Sequence, residues 1–160
     1  MRRIVITVIG LMIALASPAS ADVITDWNQT AIEAMKAANI AGNPWTRNMA
    51  MMHVAMSDAV NSVQGRYASY VSPGTVKSVA SAEAAAATAA RQILLQQVPN
   101  QKALIDQAYA ETTKAIPDGA AKTDGVAIGE CWLYDEQGPI GTSTVAALAQ
   151  RKPMAAPPPP

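Results

Sequence analysis

A single histidine, His53, stands in this chain, with Met49, Met51, Met52 and Met56 beside it and Asp58 five positions on. An imidazole flanked by thioethers is a donor set that suits copper(I), and a nearby carboxylate could share a proton with the ring. The same residues have a plainer reading, which we prefer. Methionines at helical spacing fill cores. A helix histidine beside an apolar stripe bonds to a carbonyl of the next helix or to a buried polar group such as Asp58. The lone Cys131 can make no internal disulfide and rules out a cysteine-based zinc site; a buried, inert thiol is expected, with an intermolecular bridge as the alternative. Other chemical templates are missing. Gly125-Val126-Ala127-Ile128-Gly129 lacks the lysine and hydroxyl of a phosphate loop, and no nucleophile elbow occurs. Asp22 and Asp26 fall at a helix start, where carboxylates favour the positive end of the dipole, and Glu111 with Lys114 is an exposed helical pair.

The element that must position His53 is a helix over residues 43–63. Trp45, Met49, Met52, Met56, Val60 and Val63 recur at steps of three and four and so share one stripe. Asn43 is the expected cap and Pro44 suits the first turn. This helix is expected to be the one around which the others are organised. Before it, a helix from Val23 or Thr25 to Asn39 carries Val23, Trp27, Ala31, Ala34, Met35 and Ala38 on its apolar side. The short link through Gly42 favours an antiparallel pair. Residues 66–78, with Pro73-Gly74, read as the longest loop, either a lid or partner surface or a simple crossover. An alanine-rich helix then runs from Ser78 or Ser81 to Val98 and stops at Pro99. Asn100 is expected to cap a fourth helix over 101–116, and Asp118 a fifth over 119–130. Gly125 and Gly129, four apart, would admit a neighbouring helix at close range or weaken their own. The fold class expected is therefore all-α, an antiparallel bundle of about five helices.

With these residues in place, the run Arg47 to Val63, centred on Met-His-Val-Ala-Met-Ser-Asp-Ala-Val-Asn-Ser-Val, resembles the N-terminal helical region of bacterial vanadium-dependent haloperoxidases, relatives of the type 2 phosphatidic acid phosphatases. Asp26-Trp27-Asn28, Tyr67, Tyr70 and the alanine-rich residues 82–90 follow the same order, so the resemblance spans about residues 22–130. It implies a parent activity of peroxide-dependent halide oxidation or phosphoester hydrolysis at a histidine-bound oxyanion, with vanadate as cofactor. In that family the oxyanion is held by a lysine, an arginine-proline, a Ser-Gly-His segment and a later arginine followed by a histidine. Such a site needs at least two imidazoles and convergent cationic donors. Here there is one histidine and no Ser-Gly-His, and Arg151-Lys152-Pro153 is a poor echo of the first element. No catalytic, cofactor-binding or metal residue is carried over. The chain is expected to be inactive alone, with no cofactor of its own.

The chain's limits agree with an exported piece. Residues 1–21 read as a signal peptide: Arg2 and Arg3, an apolar run from Ile4 to Ala16, and Ala19-Ser20-Ala21 as cleavage site. The run is short for a bilayer, so no stable anchor is expected after cleavage; an uncleaved anchor is the other reading. The expected location is the periplasm or the outside. Lys plus Arg number 12 and Asp plus Glu 12, which gives no electrostatic reason to expect nucleic acid as partner. Phenylalanine is absent and the apolar half is largely alanine, so the core should be thin, filled by Trp27, Trp45, Leu94, Leu95, Leu104, Ile105 and Tyr109. Residues 131–160 change texture and end on four prolines, an extended, partly disordered tail. They read as foreign to the fold, as in a truncated or frame-shifted product, which would leave apolar helix faces open to self-association. Two other functions remain: a non-catalytic helical binding module, and a metal-handling protein built on His53 and its methionines.

Overall fold

Asp22 begins the first helix by accepting the Thr25 amide on Oδ1 at 2.8 Å, which satisfies one of the free donors of the first turn. In the computed structural model, which describes residues 22–70, 79–131, and the backbone of 133–135 and 138–140, this helix, α1, spans Val23–Ala37. It ends on Asn39 in the left-handed region at φ 54°. Helix α2 spans Asn43–Gln64 and stops at Gly65, also left-handed, whose amide donates to Asn61 O. The expected cap moves by one residue: Gly42, at φ 64°, swings the chain into the helix, so Asn43 already lies inside it and caps nothing. Helix α3 spans Ala82–Gln97, and its N-cap Ser81 accepts the Ala84 amide on Oγ at 3.1 Å.

Pro99 breaks α3, and a 3-10 turn over Pro99–Gln101 leads into α4, Lys102–Ala115. The fourth helix thus starts after Gln101, and Asn100 sits in the tight turn rather than at a cap. Helix α5 spans Ala120–Glu130. Its N-cap is Gly119 at φ 145°, not Asp118, whose carboxylate instead takes Lys122 Nζ at 2.9 Å. A two-stranded antiparallel ladder follows, Leu133–Asp135 with Gly138–Ile140, in register Leu133 to Ile140. The sequence reading gave no strand here. Residues 1–21, expected from sequence to be a signal peptide, residues 71–78 of the long loop, and the tail from residue 141 lie outside the described residues.

The fold class is all-α, an antiparallel bundle with five helices among the described residues, where about five were expected. Its organising element is not the expected one. Seven consecutive residues of α3, Ala84 to Ala90, are buried. A helix buried on every side must have neighbours on every side, and α3 packs against α1, α2, α4 and α5. Residues 43–63 are one wall of the bundle rather than its hub. Alanine makes this possible, because helices meeting through small side chains approach more closely than those separated by Trp or Met. Helix directions alternate. Arg91 and Thr88 of α3 meet Asp106 and Tyr109 of α4 in reverse order, while Gly125 and Gly129 of α5 follow α3 in the same order.

Larger side chains fill the gaps around α3: Trp27 and Met35 from α1, Met52 and Met56 from α2, Ile93 and Leu94 from α3, Ile105 from α4 and Ile128 from α5 are all fully buried. Trp45, Leu95, Leu104 and Tyr109, expected as core, are half-buried and pack on its edge. Tyr109 joins α1, α3 and α4. Its ring lies 6.4 Å from Trp27, its hydroxyl is 3.0 Å from Thr88 Oγ1, and the Arg91 guanidinium stands 5.0 Å over its face.

Candidate functional site

Two sets of polar side chains on α2 make bonds beyond the helix. His53 lies on the flank facing α1, where its Nε2 is 3.2 Å from Asn28 Oδ1. Assigned as a hydrogen bond, this makes Nε2 the donor, because an amide oxygen only accepts. The half-buried ring therefore meets a neighbouring helix, as the plainer reading required, through Asn28 of the Asp26-Trp27-Asn28 segment. Met52 and Met56 point into the core at 0% and 1% exposure, which turns the methionine stripe into packing.

The second group faces the chain that leaves α2. Asn61, 6% exposed, uses both ends of its amide. Oδ1 accepts the Arg66 amide at 3.0 Å and the Tyr67 amide at 2.8 Å, and Nδ2 donates to Tyr67 O at 2.6 Å. Asp58, 4% exposed, accepts the Tyr70 amide on Oδ1 at 2.8 Å. Ser62 Oγ donates back to Asp58 O at 2.9 Å. These bonds supply main-chain partners that an irregular segment lacks. The Tyr67 and Tyr70 side chains are left 78% and 85% exposed. Sequence reasoning offered Asp58 as a carboxylate for the His53 ring and marked Asn61 only as a letter of a motif; the ring meets Asn28 instead, and Asp58 takes the Tyr70 amide. The spacing of three between Asp58 and Asn61, just before a glycine stop, is the signal that they serve the following loop.

A third constellation, absent from the sequence reading, ties α3 to α4. Arg91 Nε and Nη2 donate to Asp106 Oδ1 at 2.9 and 2.7 Å, and Lys102 Nζ donates to Asp106 Oδ2. The Lys102 bond, then the Arg91 bond, holds the Asp106 carboxyl below the ordinary aspartate range. Asp118 is lowered by Lys122, and Asp22 by its bond from the Thr25 amide. A carboxyl whose folded pKa is depressed contributes stability above its unfolded value of about 3.9 and loses it as pH falls through the folded value. The melting temperature should thus hold from pH 7 to about pH 5 and fall below about pH 4. Asp106→Asn should melt lower than wild type at neutral pH and show a shallower acid decline in a pH series of thermal melts.

At the end of the bundle where α1 and α3 begin and α2 and α4 finish, a groove of about 740 Å³ opens. Its lining includes the aliphatic residues Val23, Ile24, Val60 and Ile116 and the carboxylates Asp22, Asp26, Glu83 and Glu111. None of the described residues lining it is Lys, Arg or His. Glu111, read from sequence as a partner of Lys114, accepts Gln107 Nε2 at 3.0 Å. Cys131, 5% exposed, donates its thiol to Ala127 O, so the expected buried cysteine is found. Among the described residues no helix is long and apolar enough to cross a membrane.

Comparison with known proteins adds no relative: no family model, no curated protein and no solved structure matches this chain.

Proposed function

We propose that this chain is an exported, non-catalytic helical scaffold equivalent to the N-terminal part of a vanadium-dependent haloperoxidase or related acid phosphatase, without halide-oxidising or phosphoester-cleaving activity of its own. The observation that carries this reading is the use made of the motif that bears the resemblance. His53 joins α2 to Asn28 of α1, and Asp58 and Asn61 hold the backbone of residues 66–70. Each of these groups has a task in support of the fold. Export rests on Arg2, Arg3 and the apolar run that follows them.

Two measurements test it. The purified chain should show no vanadate-dependent bromination, and turnover above a protein-free control would overturn the scaffold reading. Asn61→Ala should destabilise the fold by about 1–2 kcal/mol in urea, because several main-chain bonds lose their partner at once. An unchanged midpoint would contradict the role given to Asn61.

A further inference from the structure

We propose that the groove at the α1/α3 starting end of the bundle docks a cationic amphipathic helix from another protein, with its apolar stripe on the aliphatic lining and its Lys or Arg residues against the lining carboxylates. The proposal deepens the scaffold reading by naming the kind of partner the scaffold would hold. Charge complementarity carries it. The four carboxylates come from three elements of the bundle, Asp22 and Asp26 from the start of α1, Glu83 from α3 and Glu111 from α4, so the negative charge lining the groove is not confined to one helix. The chain as a whole is balanced at 12 cationic and 12 anionic residues, yet this concavity has no described cation on its walls. A local excess of one sign beside low-dielectric surface attracts the opposite charge from solution and repels like charge. Val23, Ile24 and Val60, all half-buried, offer branched aliphatic surface, which an apolar stripe at steps of three and four fits as a helix laid in a groove. Anionic ligands and nucleic acid would meet four negative groups and are disfavoured.

The test uses the full chain and a fluorescent model helix with leucines on one face and lysines flanking them, beside a counterpart with glutamates in place of the lysines. The lysine peptide should bind and the glutamate peptide should not. Glu83→Gln with Glu111→Gln should weaken the lysine peptide about tenfold, the effect of two ion pairs at ordinary strength. Glu130→Gln, outside the groove, should leave binding unchanged. Circular dichroism checks that the double variant is folded. If it is not, salt on the wild type decides, since about 1 M salt cuts the screening length to about 3 Å and should release the peptide. Equal binding of both peptides, no binding, salt-independent binding, or a folded double variant that binds like wild type would each overturn the proposal. So would a concentration-dependent dimer that the double variant abolishes, because the occupant would then be a second copy of this chain. Bromination by the chain would overturn the scaffold reading and leave the peptide result standing, so the two failures are distinguishable.

Discussion

Replacing Gly129 with alanine should destabilise the bundle by about 2 kcal/mol and lower Tm by about 10 °C, although alanine is the better helix former by about 1 kcal/mol. A Cβ at Gly129 would stand 2.5 Å from Thr88 Cβ, 2.6 Å from the Ala85 carbonyl oxygen and 2.9 Å from the Ala89 amide nitrogen. Two of these neighbours are backbone of the buried hub helix, so no side-chain rotation relieves the overlap. Gly125 is held the same way, its missing Cβ facing the Ser81 carbonyl and standing 2.9 Å from Ala84 Cβ. The two glycines meet the same face of α3, so Gly125→Ala with Gly129→Ala should couple and not simply add, and the double variant should lose most of the cooperative transition. A thermal melt reads this directly. A double variant as stable as wild type would mean that α5 does not pack as described.

The second large effect is expected at Trp27, the largest fully buried side chain among the described residues. Trp27→Ala should cost about 3–5 kcal/mol, enough to unfold much of a bundle with so thin a core. Trp27→Phe should cost less than half as much. Among the described residues the buried indole Nε1 has no hydrogen-bond partner, so removing it forfeits no bond and relieves a desolvated donor, while the phenyl ring keeps part of the tilted contact with Tyr109. Urea unfolding of both variants, followed by circular dichroism, separates the contributions. A Trp27→Phe variant as damaged as Trp27→Ala would show that the nitrogen has a partner.

Helices were legible wherever local chemistry sets them. Asp22 and Ser81 cap α1 and α3, Pro99 ends α3, and the stripe through Met52 and Met56 faces the core. Boundaries slipped where backbone conformation outranked side-chain capping, as at Gly42 and Gly119, whose positive φ angles place the turn one residue from the polar residue favoured in the sequence. The hub was misjudged for a related reason. A periodic stripe of large residues is conspicuous in sequence, whereas an alanine run has weak amphipathic contrast, although all-round burial needs just such a run. Gly125 and Gly129 were open between close packing and a weakened helix; only their distances to α3 decide for packing.

The candidate site was legible in part. His53 against a neighbouring helix followed from its place beside the apolar stripe. The duties of Asp58 and Asn61 did not, because their partners are main-chain amides, which have no signature in sequence. The groove brings together Asp22, Asp26, Glu83 and Glu111 across a long stretch of chain, and no local pattern announces such a meeting. The strands at Leu133–Asp135 and Gly138–Ile140 were missed because their short runs carry no alternating pattern of useful length.

Amide hydrogen exchange at residues 66, 67 and 70, in wild type and in Asn61→Ala, asks most directly whether the motif's polar groups serve the scaffold. The Arg66, Tyr67 and Tyr70 amides should be protected in wild type, and the Arg66 and Tyr67 amides should lose that protection in the variant while those in the middle of α2 keep theirs. Fast exchange at 66 and 67 in wild type, or protection there that survives the loss of Asn61, would contradict the account.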